Sequence, residues 1–217
     1  MKNLLLLFAL FPTLACAQKV TIGLNGGAAF FAGMHSDHSF YTRTLKTQVY
    51  SGLTAGVMFN KYELVLRLAG NPIEGEYYNF FINNMVFAQN PLQAMLQGNY
   101  HKKLAALDLY VGITIGVITY KNPEVTALAN LYPTSEFASS AGTGSIAGMQ
   151  LGCNYPLSRR IDLNFEAEAQ YMAIKAENSY LSWSSGLPVF RYHYSLLTFP
   201  IMLGVKYKFG KAARKNA

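Results

Sequence analysis

The sequence predicts an all-β fold, an eight-stranded antiparallel up-and-down transmembrane β-barrel. Apolar residues recur at every second position in eight segments, which is the period of a β-strand. Short and long connections alternate along the chain. The composition is 51% hydrophobic and 13% charged, whereas roughly a quarter of the residues in a typical soluble domain are charged. No internal apolar run approaches the ~18 residues of a membrane helix, so the apolarity is typical of a barrel with lipid at every second position.

The clearest alternation lies in residues 160–171, RIDLNFEAEAQY. Leu163 and Phe165 share one face, whereas Asp162, Glu166 and Glu168 share the other. A helix would scatter these carboxylates around its circumference, so only a strand separates them so completely. Three acids are too many for a dry core. The apolar face therefore either packs in an ordinary core or faces lipid, with the acids inside a small wet lumen.

The first 17 residues resemble a secretory signal, with Lys2, an apolar stretch at residues 4–14 and the small-residue site Ala15-Cys16-Ala17. Acylation of Cys16 is the weaker alternative, because Thr13 occupies a position where lipoprotein signals usually carry leucine. The predicted organisation is residues 1–17 as signal peptide, 18–209 as barrel and 210–217 as a basic tail. The net charge of +7 is mostly terminal, and export makes a nucleic-acid partner implausible.

The first four predicted strands are read from period-two alternation and from the turns that separate them. Residues 52–59 and 62–69 form a hairpin, because Asn60-Lys61 is a tight-turn sequence between two alternating segments. Residues 92–100 are the least regular and are compatible with partial helix. The four segments are 20–31, 52–59, 62–69 and 92–100.

The last four predicted strands alternate more regularly, with aliphatic or aromatic residues facing Gly, Thr and charged residues. After processing, Cys153 in the sixth segment is the single cysteine, which excludes an intrachain disulfide. The four segments are 107–120, 145–155, 160–171 and 193–209.

The connections alternate strictly between short turns at 60–61, 101–103 and 156–159 and long loops at 35–46, 71–91, 121–144 and 177–191. Outer-membrane barrels have short turns in the periplasm and long loops outside. Each strand is near the ~9–11 residues that cross a bilayer obliquely. Aromatic residues gather at the predicted periplasmic interface, namely Phe59, Tyr62, Tyr155, Tyr207 and Phe209.

The predicted inward face carries charges that need partners in a crowded lumen. Antiparallel pairing of the last two strands predicts Asp162 close to Lys208, and Glu166 a short diagonal from Lys206. Glycines at four-residue spacing on this face, such as Gly148 and Gly152, predict curvature and clearance for Tyr110, Arg67 and Met202. The predicted lumen ion network is Glu63, Arg67, Asp108, Asp162, Glu166, Glu168, Lys206 and Lys208.

The signal, the eight strands and the closing segment SLLTFPIMLGVKYKF (residues 195–209) resemble the OmpA/OmpX-type outer-membrane β-barrel family, including the PorT-like barrels of Gram-negative bacteria. The resemblance implies an outer-membrane location among lipid and lipopolysaccharide. It also implies insertion by the barrel assembly machinery, which reads a final aromatic residue, here Phe209.

Three patterns suggest chemistry but are better explained without it. His35-Ser36-Asp37-His38 offers too few ligands for a metal site, so we expect a solvated loop and no metal or cofactor. His193 and Ser195 resemble the His-x-Ser pair of lipid A deacylases, with His193 as base, but no acid follows Ser195 in the chain. The acids at 162, 166 and 168 could be paired carboxylates of a glycosidase, yet nearby lysines favour an ion network.

The predicted loops hold a dense set of aromatic residues, which often mark binding of protein, peptide or glycan. The alternative is that they form the outer interfacial girdle of the barrel. The residues are Tyr77, Tyr78, Phe80, Phe81, Tyr180, Trp183, Phe190 and Tyr192.

The sequence therefore predicts a non-enzymatic outer-membrane barrel that is structural, adhesive or ligand-binding through its extracellular loops. One alternative is a lipid A deacylase-like enzyme. Another is a soluble secreted barrel of the lipocalin kind, which requires the apolar face to point inward.

Overall fold

A computed structural model of the protein describes residues 19–36, 42–45, 47–70, 73–79, 82–89, 91–121, 124–127, 137–180 and 189–209. Within these ranges the chain forms twelve strands, of which eight close into an antiparallel barrel. The predicted fold class is thus confirmed. The predicted signal peptide (1–17), including Cys16, and the predicted tail (210–217) lie outside the described residues.

The barrel strands are β1 (Lys19–Ser36), β3 (Gln48–Phe59), β4 (Tyr62–Gly70), β7 (Leu92–Leu104), β8 (Leu107–Lys121), β10 (Phe137–Pro156), β11 (Ile161–Tyr180) and β12 (Val189–Phe209). The remaining strands are β2 (Thr42–Leu45), β5 (Ile73–Asn79), β6 (Ile82–Gln89) and β9 (Glu124–Ala127). No helix in the described part of the chain is long and apolar enough to cross a membrane.

Each barrel strand pairs with the barrel strands that precede and follow it in the chain, and β1 closes the ring by pairing with both β3 and β12. Val20 lies opposite Val57 on one side and Phe209 on the other. Both ends of the barrel segment therefore lie beside the three short turns. We call this end of the barrel the turn end and the opposite end the loop end.

The short turns are largely where the sequence places them. Asn60-Lys61 joins β3 to β4, and Asn60 has a φ of 56°. The predicted turn at 101–103 is wrong, because β7 continues to Leu104, which pairs with Leu107 across Ala105-Ala106. Ala105 adopts a φ of 53°, and an Ala-Ala pair lacks the Asn or Gly that usually signals such a turn.

The long connections contain more structure than the sequence predicts. The hairpin β5–β6 lies within the predicted loop 71–91, and β2 and β9 lie within two others. These four strands form a second sheet in the order β2-β5-β6-β9, which we call the loop sheet. The barrel strands β10, β11 and β12 also extend further toward the loop end than predicted, and residues 92–100 are strand with no helical part.

The barrel wall has inverted polarity compared with a soluble protein. The outward residues Leu163, Phe165 and Leu203 are 40%, 44% and 58% exposed, whereas the inward Glu166 and Glu168 are 1% and 4% exposed. The lipocalin-like alternative required the apolar face to point inward, so the structure contradicts it.

We expect Ile113→Arg to lower the free energy of unfolding in lipid vesicles by about 2–4 kcal/mol, because it puts a charge in the middle of the apolar wall. Ile113 is 63% exposed and lies midway between the exposed Leu109 and Val117 on β8. The control Thr119→Arg lies on the same face beyond that apolar run and should cost about 0–1 kcal/mol. Denaturant unfolding of both variants in vesicles measures this difference, and equal losses would contradict a lipid-facing wall.

Candidate functional site

The lumen is divided into a polar half near the turn end and a mainly apolar half near the loop end. The predicted polar lumen is therefore correct only for the first half. The second half is packed with buried aliphatic side chains, methionines and two tyrosines, including Tyr50, Met95, Ile118, Ile146, Met172, Ile174, Tyr194 and Leu196.

A buried ion cluster spans the lumen at the boundary between the two halves. Arg67 projects from β4, and Glu166 and Glu168 project from β11, which is the strand directly across the ring of eight. One guanidinium nitrogen of Arg67 pairs with Glu166, and the other lies 3.1 Å from Glu168 Oε2. When backbone atoms are left out, all three side chains are at most 1% exposed. The barrel is therefore tied across its lumen by charge as well as around its wall by backbone hydrogen bonds.

Neutral side chains complete the coordination of the two glutamates. Tyr110 donates its hydroxyl to Glu166 Oε2 at 2.5 Å, and Asn164 Nδ2 donates to the Tyr110 oxygen at 2.9 Å. Buried charges need such partners, because each hydrogen bond left unmade would add to the cost of leaving water. Glu168 accepts hydrogen bonds from Gln97 at 2.8 Å, Thr114 at 3.2 Å and Gln170 at 2.6 Å.

A second cluster lies nearer the turn end, around Glu63. Its carboxylate accepts from Thr21 Oγ1 at 3.1 Å and lies 3.1 Å from His101 Nε2 and 3.8 Å from Lys206 Nζ. The other ring nitrogen of His101 lies 3.1 Å from Asp108 Oδ2. An imidazole that contacts a carboxylate at each nitrogen has the geometry of an imidazolium, which donates from both.

The two predicted pairings of the last strands have different outcomes. Lys208 Nζ lies 2.6 Å from Asp162 Oδ1, which confirms the predicted contact. The predicted diagonal between Glu166 and Lys206 is wrong, because Glu166 pairs with Arg67 and Lys206 approaches Glu63. Lys206 Nζ also lies 4.9 Å from the centre of the Tyr110 ring, which joins the two clusters.

The network contains residues outside the predicted set, chiefly His101, Tyr110 and Gln97. The turn predicted at 101–103 includes His101, and extending the alternation of β7 beyond residue 100 would put it on the inward face instead. Gly152 gives Tyr110 its space, because a Cβ at this position would collide with the Tyr110 ring. This confirms the predicted clearance role for that glycine.

The geometry does not suit glycoside hydrolysis. Glu166 and Glu168 both bind the same guanidinium and are covered by neighbouring side chains. Neither has the open position next to a sugar that an acid or nucleophile needs. The cluster instead closes the lumen, because its side chains meet across the full width of the barrel.

In the described part of the barrel, one cavity lies at the turn end and another on the outer wall. One of about 750 Å³ opens at the turn end, where Lys19, Lys61, Lys102 and Lys103 surround a floor formed by the Glu63 cluster. The other, about 700 Å³, is a recess on the outer wall near the loop end that includes His193 and Ser195. None of the described residues lining that recess is acidic.

The predicted loop aromatics fall on several elements. Tyr77 and Tyr78 lie on β5, Tyr180 ends β11, and Phe190 and Tyr192 lie near the start of β12, whereas Phe80, Phe81 and Trp183 lie outside the described residues. Of the predicted motif 35–38, the first two residues end β1, and Asp37 and His38 are outside the described part. Among the described residues, no group of three or more His, Cys, Asp or Glu side chains is arranged to hold a metal.

Comparisons with known proteins support the fold. The outer membrane protein OprG from Pseudomonas aeruginosa has a TM-score of 0.60 at 18% identity, over 90% of this chain and 97% of OprG. A major outer membrane protein from Thermus thermophilus has a TM-score of 0.56 at 10% identity, over 88% of this chain and 99% of that chain. No family model and no curated protein sequence matches, and the OmpA/OmpX-type resemblance therefore stays a prediction.

We expect Arg67→Met to lower the free energy of unfolding by roughly 3–5 kcal/mol, because Glu166 and Glu168 would stay buried without their cation. The triple variant Arg67→Met, Glu166→Gln, Glu168→Gln should recover much of this loss, since it removes all three charges together. Lys208→Met, which breaks a partly exposed pair, should cost less, up to about 1 kcal/mol. Denaturant unfolding in lipid vesicles measures all three, and an Arg67→Met barrel as stable as the parent would refute the cluster's role.

Proposed function

We propose that the chain is a non-enzymatic bacterial outer-membrane protein in which a closed barrel anchors a binding surface at the loop end. The observation that carries this proposal is that a blocked lumen occurs together with an ordered loop sheet. The ion cluster around Arg67 fills the barrel interior, whereas three of the four long connections contribute strands to one sheet outside the barrel.

The outer wall supports the membrane location. On β8 the outward side chains from Leu107 to Val117 are all aliphatic and exposed. In water this surface would be a large aggregation-prone patch, whereas in a bilayer it packs against acyl chains of the same polarity. Lipid and lipopolysaccharide are then the partners of the wall, and the barrel assembly machinery is the expected insertion partner.

The lumen supports an anchor and argues against a pore along its axis. Arg67, Glu166 and Tyr110 come from three different strands and meet in the interior. Eight-stranded barrels are just wide enough for side chains to fill. A solute crossing this layer would have to break several buried charge-assisted contacts.

The loop sheet supports binding at the loop end. Segments from three separate connections are held in fixed register, for example Tyr77 opposite both Arg43 and Met85. Residues presented on loops over a rigid scaffold are the usual location of binding function. The aromatic residues of β5 and of the outer ends of β11 and β12 make a protein or glycan the expected ligand.

We expect the protein to fractionate with the outer membrane and to resist extraction by high salt or alkali. The folded barrel should migrate on a cold detergent gel at a different position from the boiled chain, because its closed sheet resists unfolding by the detergent. Recovery in the soluble fraction without detergent, with no shift on boiling, would contradict the membrane location.

We expect replacement of residues 71–91 by a short Gly-Ser turn to abolish capture of a surface partner while the barrel still folds. Gly70 and Leu92 are direct partners across β4 and β7, so a short turn can join them. The measurement is pull-down from bacterial-surface and host extracts with the folded protein, and folding is checked by gel mobility.

The matched control for this deletion removes only residues 184–188 from the connection between the loop-end termini of β11 and β12, so that Trp183 is kept. Ser179 and Val189 pair directly, so the barrel can again close with a short turn. The control leaves all four strands of the loop sheet in place, and the proposal therefore expects partner capture to survive in it. If both deletion variants capture the partner as well as the parent does, the loop sheet is not the binding surface.

A further inference from the structure

The recess on the outer wall contains a polar row that crosses four strands. Thr119 of β8 is directly opposite Thr143 of β10, which is opposite Lys175 of β11, which is opposite His193 of β12. All four side chains are exposed on the outer wall. Two basic groups and two hydroxyls are therefore aligned on one transverse line near the loop end.

Below this row, toward the turn end, three of the four positions in the wall carry small residues and the fourth is Val117. Ser145, Ala173 and Ser195 are direct neighbours in the next transverse row, and Tyr171 borders them from the row beyond. Small side chains there leave a hollow of about 700 Å³. The apolar wall begins immediately beneath, with the exposed side chains of residues 115 and 197.

The position of the row indicates what kind of molecule it meets. It lies at the edge of the apolar wall on the side of the long connections, which in a membrane barrel is the level of the outer-leaflet headgroups. The described residues that line the recess include a lysine and a histidine but no aspartate or glutamate. The recess is thus complementary to a negatively charged group attached to a hydrocarbon chain.

We propose that this recess binds a phosphate group of an outer-leaflet lipid, with the acyl chains of the same lipid lying over the small residues below. The inference rests on the proposed membrane location. Lys175 supplies a fixed positive charge, His193 and the hydroxyls of Thr119 and Thr143 supply hydrogen-bond donors, and Tyr171 offers a flat apolar side to the chain. A phosphorylated saccharolipid of the lipopolysaccharide type fits this combination.

The test measures lipid binding to the folded full-length chain in neutral detergent micelles by native mass spectrometry. The probes are diphosphorylated lipid A, the same lipid after enzymatic removal of its phosphates, and inorganic phosphate as a competitor. We expect the phosphorylated lipid to bind roughly fivefold more tightly than the phosphate-free lipid, from about one favourable charge contact at a membrane surface.

Lys175→Gln should remove most of this preference, and His193→Gln provides an independent second variant. Lys61→Gln is the matched control, because it removes the same charge from the exposed turn at the other end of the barrel. Cold-gel mobility shows that each variant is folded before its binding is compared.

Equal affinity for the two lipids, or equal preference in Lys175→Gln and Lys61→Gln, would overturn the proposal. If millimolar inorganic phosphate displaces bound diphosphorylated lipid A as effectively as added lipid A does, the lipid assignment is overturned and the recess is a site for free phosphate. A protein that fractionates with the outer membrane yet shows no phosphate preference would refute this inference alone, whereas a soluble protein would refute the proposed function itself.

Discussion

A buried carboxylate needs a cation as its partner, and this requirement determines how the barrel of this protein is assembled. Glu166 and Glu168 are buried, and their cation, Arg67, comes from the opposite side of the ring. If β11 shifted its pairing by one residue, both glutamates would move to the outer face of the wall and Phe165 and Ala167 would move inside. The ion cluster therefore fixes the register of β11, and through its neighbours that of the whole wall.

Much of this architecture could be predicted from the sequence because each strand of a membrane barrel alternates between a lipid-facing and a lumen-facing residue. Residues 160–171 show both faces at once, and Asn60-Lys61 indicates a tight turn without reference to any other part of the chain. The contact between Asp162 and Lys208 was also predictable, since it joins strands that follow each other in the chain and are therefore neighbours in an up-and-down barrel.

The features that escaped prediction depend on parts of the chain that are distant in sequence. Arg67 and Glu166 are 99 positions apart on strands that do not pair through their backbones. Strand alternation gives the direction of each side chain but not its partner across the lumen. Glu166 lies on the strand next to that of Lys206 and is therefore its expected partner, whereas the partner in the structure is Glu63. The β5–β6 hairpin was missed because its pairing partners, β2 and β9, come from two other connections.

The closure of the ring has a consequence for how the protein is made. β1 is held on one side by β12, and Val20 pairs with Phe209, so the first strand waits for the last before its second edge is covered. Until the final residues have been made, any sheet formed by the earlier strands has two open edges and an apolar exterior, which favours aggregation with other chains. Pairings of such long sequence separation also form slowly. The interval before β1 and β12 pair is consequently the period in which this chain is most prone to aggregate.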